Sequence, residues 1–372
     1  MRVRKLDTSL RQDYRQFAGF PFELYRDDPL WVPPLESEMK LVFDRSKHPF
    51  YRHSTADFFV AESEGQTLGR IAILHHRNYS DEHKIPTGFI YYFECVNDLQ
   101  AAGALLETAH DWARQRGLQE IIGPKGFLRS SGIGLLVEGF EYRPAIGIPY
   151  NPPYYAAFLE NAGFSKVTDH LSGILTKDLT LEPRVYEVAE KVKLRNRFWI
   201  KTFASKSEMR AWAPRIERVH HQAFRNNPGY YPTTPEEFTL MADNMISVAD
   251  PRLVKLIMRD EDIVGFVIAY ADISAALQKS RGRLWPIGWY YIMREFKRTK
   301  SVNLNGLGLL PEYQGLGSNA LLYTEVEKTL RQFNFDNGEI VQVDETNYKS
   351  RSDMETLGVR WIKRHRTYHF TF

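Results

Sequence analysis

Two periods of apolar spacing run along this chain. Between Leu99 and Arg116, the residues Leu99, Ala102, Leu105, Leu106, Ala109, Trp112 and Ala113 recur at intervals of three and four, which predicts a helix with one buried face. Asp98 stands where an N-cap belongs and Gly117 where the helix should stop. Shorter apolar runs bounded by turn residues predict strands. Phe58 to Glu62 and Leu68 to Leu74 read as a hairpin turning at Ser63-Glu64-Gly65-Gln66. Gly88 to Val96 and Leu118 to Ile122 read as further strands, and Tyr154 to Ala162 as a short helix after Pro152-Pro153.

The order then repeats. Phe198 to Phe203 predicts a strand, Glu208 to Phe224 and Pro235 to Ile246 two helices, and Leu253 to Met258 with Ile263 to Tyr270 a hairpin. Val302 to Leu310 predicts a strand, Gly317 to Phe333 a helix, Ile340 to Asp344 a strand and Lys349 to Thr356 a helix, with closing strands from Val359 to Phe372. This pattern predicts an α/β chain of two similar domains at 1–180 and 198–372, joined by a linker at 181–197 that carries Pro183. An insertion at about 273–299 interrupts the second domain. Its Ile287, Trp289, Tyr290, Ile292, Met293 and Phe296 suit either a helix packed on the core or a lid over an apolar substrate.

Bulk properties narrow this picture only a little. A length of 372 residues fits two domains. With 49 basic and 46 acidic residues, the formal charge of +3 gives no reason to expect nucleic acid as a partner. The single cysteine, Cys95, excludes an internal disulfide and a cysteine zinc site, and its strand-like surroundings suggest a buried thiol. The adjacent pairs His75-His76 and His220-His221 point apart on either a strand or a helix, so no metal site is expected. No run approaches the roughly 18 apolar residues of a membrane span, and the N-terminus lacks a signal-peptide core. The expectation is a cytoplasmic protein; its oligomeric state is not written in these patterns.

Chemistry concentrates in one loop, Leu309-Leu310-Pro311-Glu312-Tyr313-Gln314-Gly315-Leu316-Gly317-Ser318-Asn319. A strand runs into Pro311, which cannot donate to a ladder, and a helix starts just beyond two glycines. Such a loop turns backbone N–H groups inward, beside the partial positive charge of a helix N-terminus, and can hold a pyrophosphate without Lys or Arg. Glu345, at the carboxyl end of a predicted strand, is a candidate proton acceptor for an amine. Asn303 and Asn305 alternate with Val302 and Leu304 on the strand before the loop. Tyr230 and Tyr231 lie in a loop between two predicted helices and suit an apolar acceptor.

Gln314-Gly315-Leu316-Gly317-Ser318-Asn319 resembles the acyl-CoA-binding motif of the GNAT superfamily. The resemblance implies two GNAT-like domains, each a mixed, largely antiparallel central sheet flanked by helices. It implies acetyl-CoA or a longer acyl-CoA as donor and direct attack by an amine. Leu309, Leu310, Gln314, Gly315, Leu316, Gly317, Ser318 and Asn319 would hold the donor, Leu309 or Leu310 polarising the thioester through its backbone N–H. Tyr230, Tyr231 and Asn305 would face the acceptor, and Glu345, Asn347 and Tyr348 would serve catalysis. Asn319 departs from the family's small residue, and Met354 stands where the family often places a tyrosine acid. The first half resembles the same domain through Asn151 to Phe164. Its corresponding loop, Val96 to Ala102, has no glycine and carries Asp98, which reads as a degenerate copy. Gly123-Pro124, Gly134 to Phe140, Pro149 to Tyr155 and Arg364 to Tyr368 are similar to a YghO-like group that includes bacterial ceramide-synthase-like acyltransferases, which implies a long-chain acyl donor or a lipid-like amine acceptor; a small-molecule amine is the other acceptor expected. The departures at Asn319 and Met354 keep a second reading open, a non-catalytic acyl-CoA-binding protein; a third is the aminoacyl transfer of other tandem-GNAT proteins.

Overall fold

The structure is a computed structural model and describes residues 1–314 and 317–372. The roles expected of Gly315 and Leu316 lie outside the described residues. The first half runs β1 (Arg2–Lys5), α1 (Arg11–Leu24), α2 (Glu36–Phe43), β2 (Thr55–Ser63), β3 (Gln66–His75), α3 (Arg77–His83), β4 (Thr87–Cys95), α4 (Leu99–Arg114), β5 (Glu120–Gly123), β6 (Leu135–Glu138), α5 (Tyr155–Asn161) and β7 (Ser165–Thr176). The second runs α6 (Pro183–Arg195), β8 (Phe198–Thr202), α7 (Lys206–Phe224), α8 (Pro235–Val248), β9 (Val254–Arg259), β10 (Asp262–Ala271), α9 (Ser274–Ser280), α10 (Gly288–Arg298), β11 (Ser301–Leu309), α11 (Ser318–Gln332), β12 (Asn337–Asp344), α12 (Tyr348–Thr356) and β13 (Arg360–Thr371).

The thirteen strands among the described residues share one sheet, in the order β1-β2-β3-β4-β5-β13-β7-β12-β11-β10-β9-β8, with β6 beside β13. Pairing is antiparallel except at β4–β5 and β11–β12. Read inward from each edge, the two halves give the same sequence of positions, β1 to β5 matching β8 to β12. The sixth position is exchanged. β13, the last strand of the chain, pairs with β5 of the first half, while β7 pairs with β12 of the second. β7 and β13 pair with each other along most of their length and so join the halves.

The predicted helices pack as their periodicity requires. α4 buries Leu105, Leu106, Ala109 and Trp112 against the first half's strands, and α11 buries Leu321, Leu322, Val326 and Leu330 against the second's. Each such side chain, fully withdrawn from water, contributes roughly 1.5–3 kcal/mol before entropy is counted. A third, aromatic core covers the other face of the first half and takes in Tyr231 from the second. The expected linker region forms α6, which runs back along α11: Tyr186 donates to Glu327 at 2.6 Å, and Val188 abuts Gly317. The insertion forms α9 and α10. A single twelve-residue strand, β13, stands where several closing strands were expected.

Candidate active site: two clefts and a shared cavity

Each half contains a split in its sheet. β11 and β12 pair only from Ser301 with Asn337 to Leu304 with Ile340, then diverge. β11 bulges there: Leu304 lies opposite Ala269 and Gly306 opposite Ile268, leaving Asn305 without a partner in β10. β12 bulges on the other wall, where Gln342 takes φ 51°. The Gln342 side chain donates to Ile133 O at 2.6 Å and accepts from Ile133 N at 3.2 Å, clasping a first-half loop. Beyond the bulge, Leu310 N donates to Val264 O at 2.9 Å. Strand alternation therefore turns the Leu309 N–H the other way, into the cleft, where no described residue of β12 pairs with it.

The chain next makes a 3₁₀ turn at Pro311–Tyr313, closed by Gln314 Nε2 donating to Leu309 O at 3.0 Å. Gly317 is the N-cap of α11 with φ 82°, and no described side chain caps that helix. Ser318 is buried. Asn319 turns toward α12, where its amide donates to Asp353 at 2.9 Å.

The first half has the same frame with its polar groups already engaged. β4 and β5 pair only from Thr87 to Phe89, and β4 bulges at Tyr92 and Phe93, with Tyr92 at φ 49°. At the end of β4, Cys95 N donates to the Tyr155 hydroxyl at 2.7 Å, and the Tyr154 hydroxyl donates to Cys95 O at 3.0 Å. Asp98 caps α4, accepting from Gln100 N and Ala101 N at 2.8 and 3.1 Å. Its carboxylate occupies the position where an anion would otherwise meet the helix N-terminus. Cys95 is buried, and burial, followed by the nearby Asp98 charge, pushes its thiol up to about 12.

The two bulges face one partly open cavity of about 330 Å³. Tyr91, Tyr92, Phe93 and Glu94 line it from β4, and Asn305 lines it from β11. Phe127 and Leu128, Leu240, Met241 and Met245 of α8, and Tyr270 of β10 give it a largely apolar wall. Two carboxylates reach it. Burial raises Glu94, but Arg70 donates to it at 2.6 Å and opposes that rise. Glu38, on α2, has no hydrogen-bond or ion-pair partner among the described residues, and burial raises its carboxyl above the ordinary range. Composition and motifs gave no hint of Glu38. Periodicity did carry one: Leu35, Met39 and Val42 form the buried face of α2, and Glu38 falls on that face, an unusual place for a charge.

The other expected residues are placed apart from this cavity. Glu345 is tied into a junction between β7, β12 and β13. It accepts from Asp169 N at 3.0 Å, and Lys166 Nζ lies 2.8 Å away. Its neighbour Asp169 is buried, which alone would raise its carboxyl, but hydrogen bonds from Arg366, Lys166 and Arg364 bring it down to about 2. Asn347 caps α12, accepting from Ser350 N at 3.2 Å, while Tyr348 is 73% exposed and Met354 is buried in the core. Tyr230 and Tyr231 are buried between the halves, Tyr230 under Arg129 and Tyr231 against His76. Of the expected acceptor residues, Asn305 is the one that lines the cavity.

A doubled six-strand frame, with a split after the fourth strand and a helix starting beyond it, defines the class as a tandem GNAT fold. No family model matches the chain. The chain is 29% identical to Protein YghO of Escherichia coli (strain K12) over 377 residues, which cover 96% of this chain and 93% of that relative. It is 24% identical to Bacterial ceramide synthase of Caulobacter vibrioides (strain NA1000 / CB15N) over 366 residues, covering 96% and 94%. Among solved structures, a tandem GNAT protein from the clavulanic acid biosynthesis pathway superposes with a TM-score of 0.56 at 13% identity, covering 100% of this chain and 98% of that one. A GCN5-related N-acetyltransferase from Sphaerobacter thermophilus gives 0.53 at 13% identity, covering 100% and 95%. The chain thus has the tandem GNAT fold and is similar over nearly its whole length to YghO and to the bacterial ceramide synthase.

Proposed function

We propose that this chain is an acyl-CoA-dependent N-acyltransferase whose second half binds the donor and whose shared cavity receives an amine. The observation that carries the reading is the asymmetry between the clefts. In the first half, Tyr155 and Asp98 already satisfy the strand-end and helix N–H groups. In the second, Leu309 N–H faces the split and α11 has no side-chain cap among the described residues. The pantetheine arm would lie between β11 and β12, with the pyrophosphate at the start of α11.

In this reading the amine nitrogen attacks the thioester carbon. A C–N bond forms, the C–S bond breaks, and the sulfur departs to become the CoA thiol by taking up the proton that the new amide nitrogen sheds. Leu309 N–H donates to the carbonyl oxygen as charge builds there. Glu38 pairs with the incoming ammonium and takes one of its protons, a task suited to a carboxylate with no cation of its own. Glu345, already engaged by Asp169 N–H and Lys166, keeps the cleft's outer wall in place. The apolar wall suits an acceptor with an aliphatic tail, and the ceramide synthase relative supports a lipid-like amine.

The test is CoA release from acetyl-CoA and longer acyl-CoAs against a panel of primary amines, beside calorimetry of donor binding. Release should require an amine, and Glu38→Gln should slow it by roughly 10²–10⁴-fold with donor binding retained. Failure of the intact protein to bind acyl-CoA of any length sinks the reading. Binding without turnover favours a non-catalytic acyl-CoA-binding protein, a reading for which the burial of Met354 and the exposure of Tyr348 speak.

A further inference from the structure

The insertion between β10 and β11 shows an unusual surface. Fifteen large apolar side chains stand exposed among the described residues, and six of them fall within the ten residues from Leu284 to Met293. Trp285 is 79% exposed, and Trp289 and Met293 are more than half exposed. α10 is held from beneath by Ile292, which packs with Leu277 of α9, and its opposite face has no partner among the described residues. Contiguous exposed apolar surface of this kind marks an interaction site.

Charge selects the partner. From Lys279 to Lys300 there are seven basic residues and one acidic, a net of +6 in a chain whose total is +3. Arg294, Lys297 and Arg298 are exposed and have no acidic partner among the described residues. A second copy would bring the same positive face against this one and be repelled. Indole rings, an amphipathic helix and cations together match the interface of an anionic bilayer. No helix among the described residues is long and apolar enough to cross a membrane, so the match is to a surface rather than a span.

We propose that this insertion is a membrane-docking face, on which Trp285, Trp289 and Met293 enter the boundary below the headgroups while Arg294, Lys297 and Arg298 meet lipid phosphates. The rest of the molecule fixes how it would sit. Gly282 O accepts from Glu36 N at 2.9 Å, and Gln278 donates to Pro29 O and Trp31 O at 2.8 and 2.9 Å. The segment thus pinned to the insertion includes Trp31, Pro33 and Pro34, which line both the broad outer groove beside Arg281 and Arg283 and the shared cavity. Docking would bring that wall of the cavity to the lipid surface. The docking claim itself does not depend on any acyl transfer.

The experiment is flotation of the full chain with vesicles of pure phosphatidylcholine or with roughly 30% phosphatidylglycerol added, together with tryptophan emission. Binding to the anionic vesicles, a blue shift, and loss of binding as salt rises are expected. The triple variant Arg294→Gln/Lys297→Gln/Arg298→Gln should bind roughly 100-fold more weakly. Trp285→Ser/Trp289→Ser should lose most of the blue shift. All five positions are exposed, and circular dichroism melts check that the variants fold; the salt series on the wild-type chain needs no variant. The proposal is overturned if the wild-type chain ignores anionic vesicles, if both variants bind undiminished, or if binding is indifferent to salt. A salt-stable dimer that the tryptophan substitutions abolish, without vesicle binding, would also overturn it and give the patch to a second copy.

Discussion

Replacing Gly317 by alanine probes how the loop before α11 is built. Gly317 holds φ 82°, and a Cβ on it would lie 2.6 Å from Val188 Cγ1 and 3.3 Å from Val192 Cγ2. The left-handed backbone costs a residue with a side chain roughly 1–2 kcal/mol. Crowding the two valines of α6 adds about 1–3 kcal/mol unless the helix shifts. Gly317→Ala should therefore lose about 2–5 kcal/mol, the sum of the two. Urea melts of four proteins separate the parts: wild type, Gly317→Ala, Val188→Ala and the double variant. In the Val188→Ala background the crowding largely disappears, and the cost of alanine at 317 should fall to the backbone part, roughly 1–2 kcal/mol. Gly103→Ala is the control, because Gly103 sits inside α4 with no atom within 4 Å of its would-be Cβ. It should gain roughly 0.5–1 kcal/mol. If Gly317→Ala stays within about 0.5 kcal/mol of wild type, the left-handed turn is refuted. An equal cost in both backgrounds would refute the part assigned to α6.

Three further outcomes follow from the same geometry. Asp98→Ala should cost about 1 kcal/mol in urea melts through the lost cap of α4, and calorimetry should find acyl-CoA affinity unchanged if the second half holds the donor as proposed; a change of affinity in either direction would count against that assignment of the two clefts. Lys255 and Glu325 form a buried pair at 2.9 Å. Glu325→Leu should cost about 3–5 kcal/mol by leaving the lysine without its carboxylate, and adding Lys255→Met should recover most of it, as denaturation of the two variants will show. Burial holds His48 and His365 down to about 4 and His220 to about 3, against an ordinary value of 6.5. Between those values the unfolded chain binds more protons than the folded one, so stability should be full above pH 6.5 and fall as pH drops toward 4. Urea midpoints measured across that range should track this, with a shallower slope in His220→Phe.

Local pattern made much of this protein legible. The spacing of Leu105, Leu106, Ala109 and Trp112 gave α4 and its buried face, and the turn residues gave both hairpins. The loop from Leu309 to Asn319 declared itself through the order of proline, glycines and helix. Each of these depends on neighbours a few residues apart, where backbone sterics and side-chain period act directly. Other elements lay beyond that reach. β1, α1, α2 and β7 take their stability from partners far along the chain, as β1 does from β2 and β7 from β12 and β13.

The sequence by itself determined most of the helices and strands of each half, and its order of proline, glycines and helix is what suggests a pyrophosphate loop in the second half. Tertiary structure decided which groups remain free to use it. It exchanged β7 and β13 between the halves, a choice set by pairing across more than a hundred residues. It spent Cys95 N–H on Tyr155, drew Glu345 into the junction with Asp169, and left Glu38 without a partner among the described residues in a cavity lined from both halves. The physical reason is common to all three. A residue's period fixes the face it shows, but the atoms that meet that face are supplied by strands and helices distant in sequence, and only their packing decides whether a donor or a charge is satisfied or left open to a substrate.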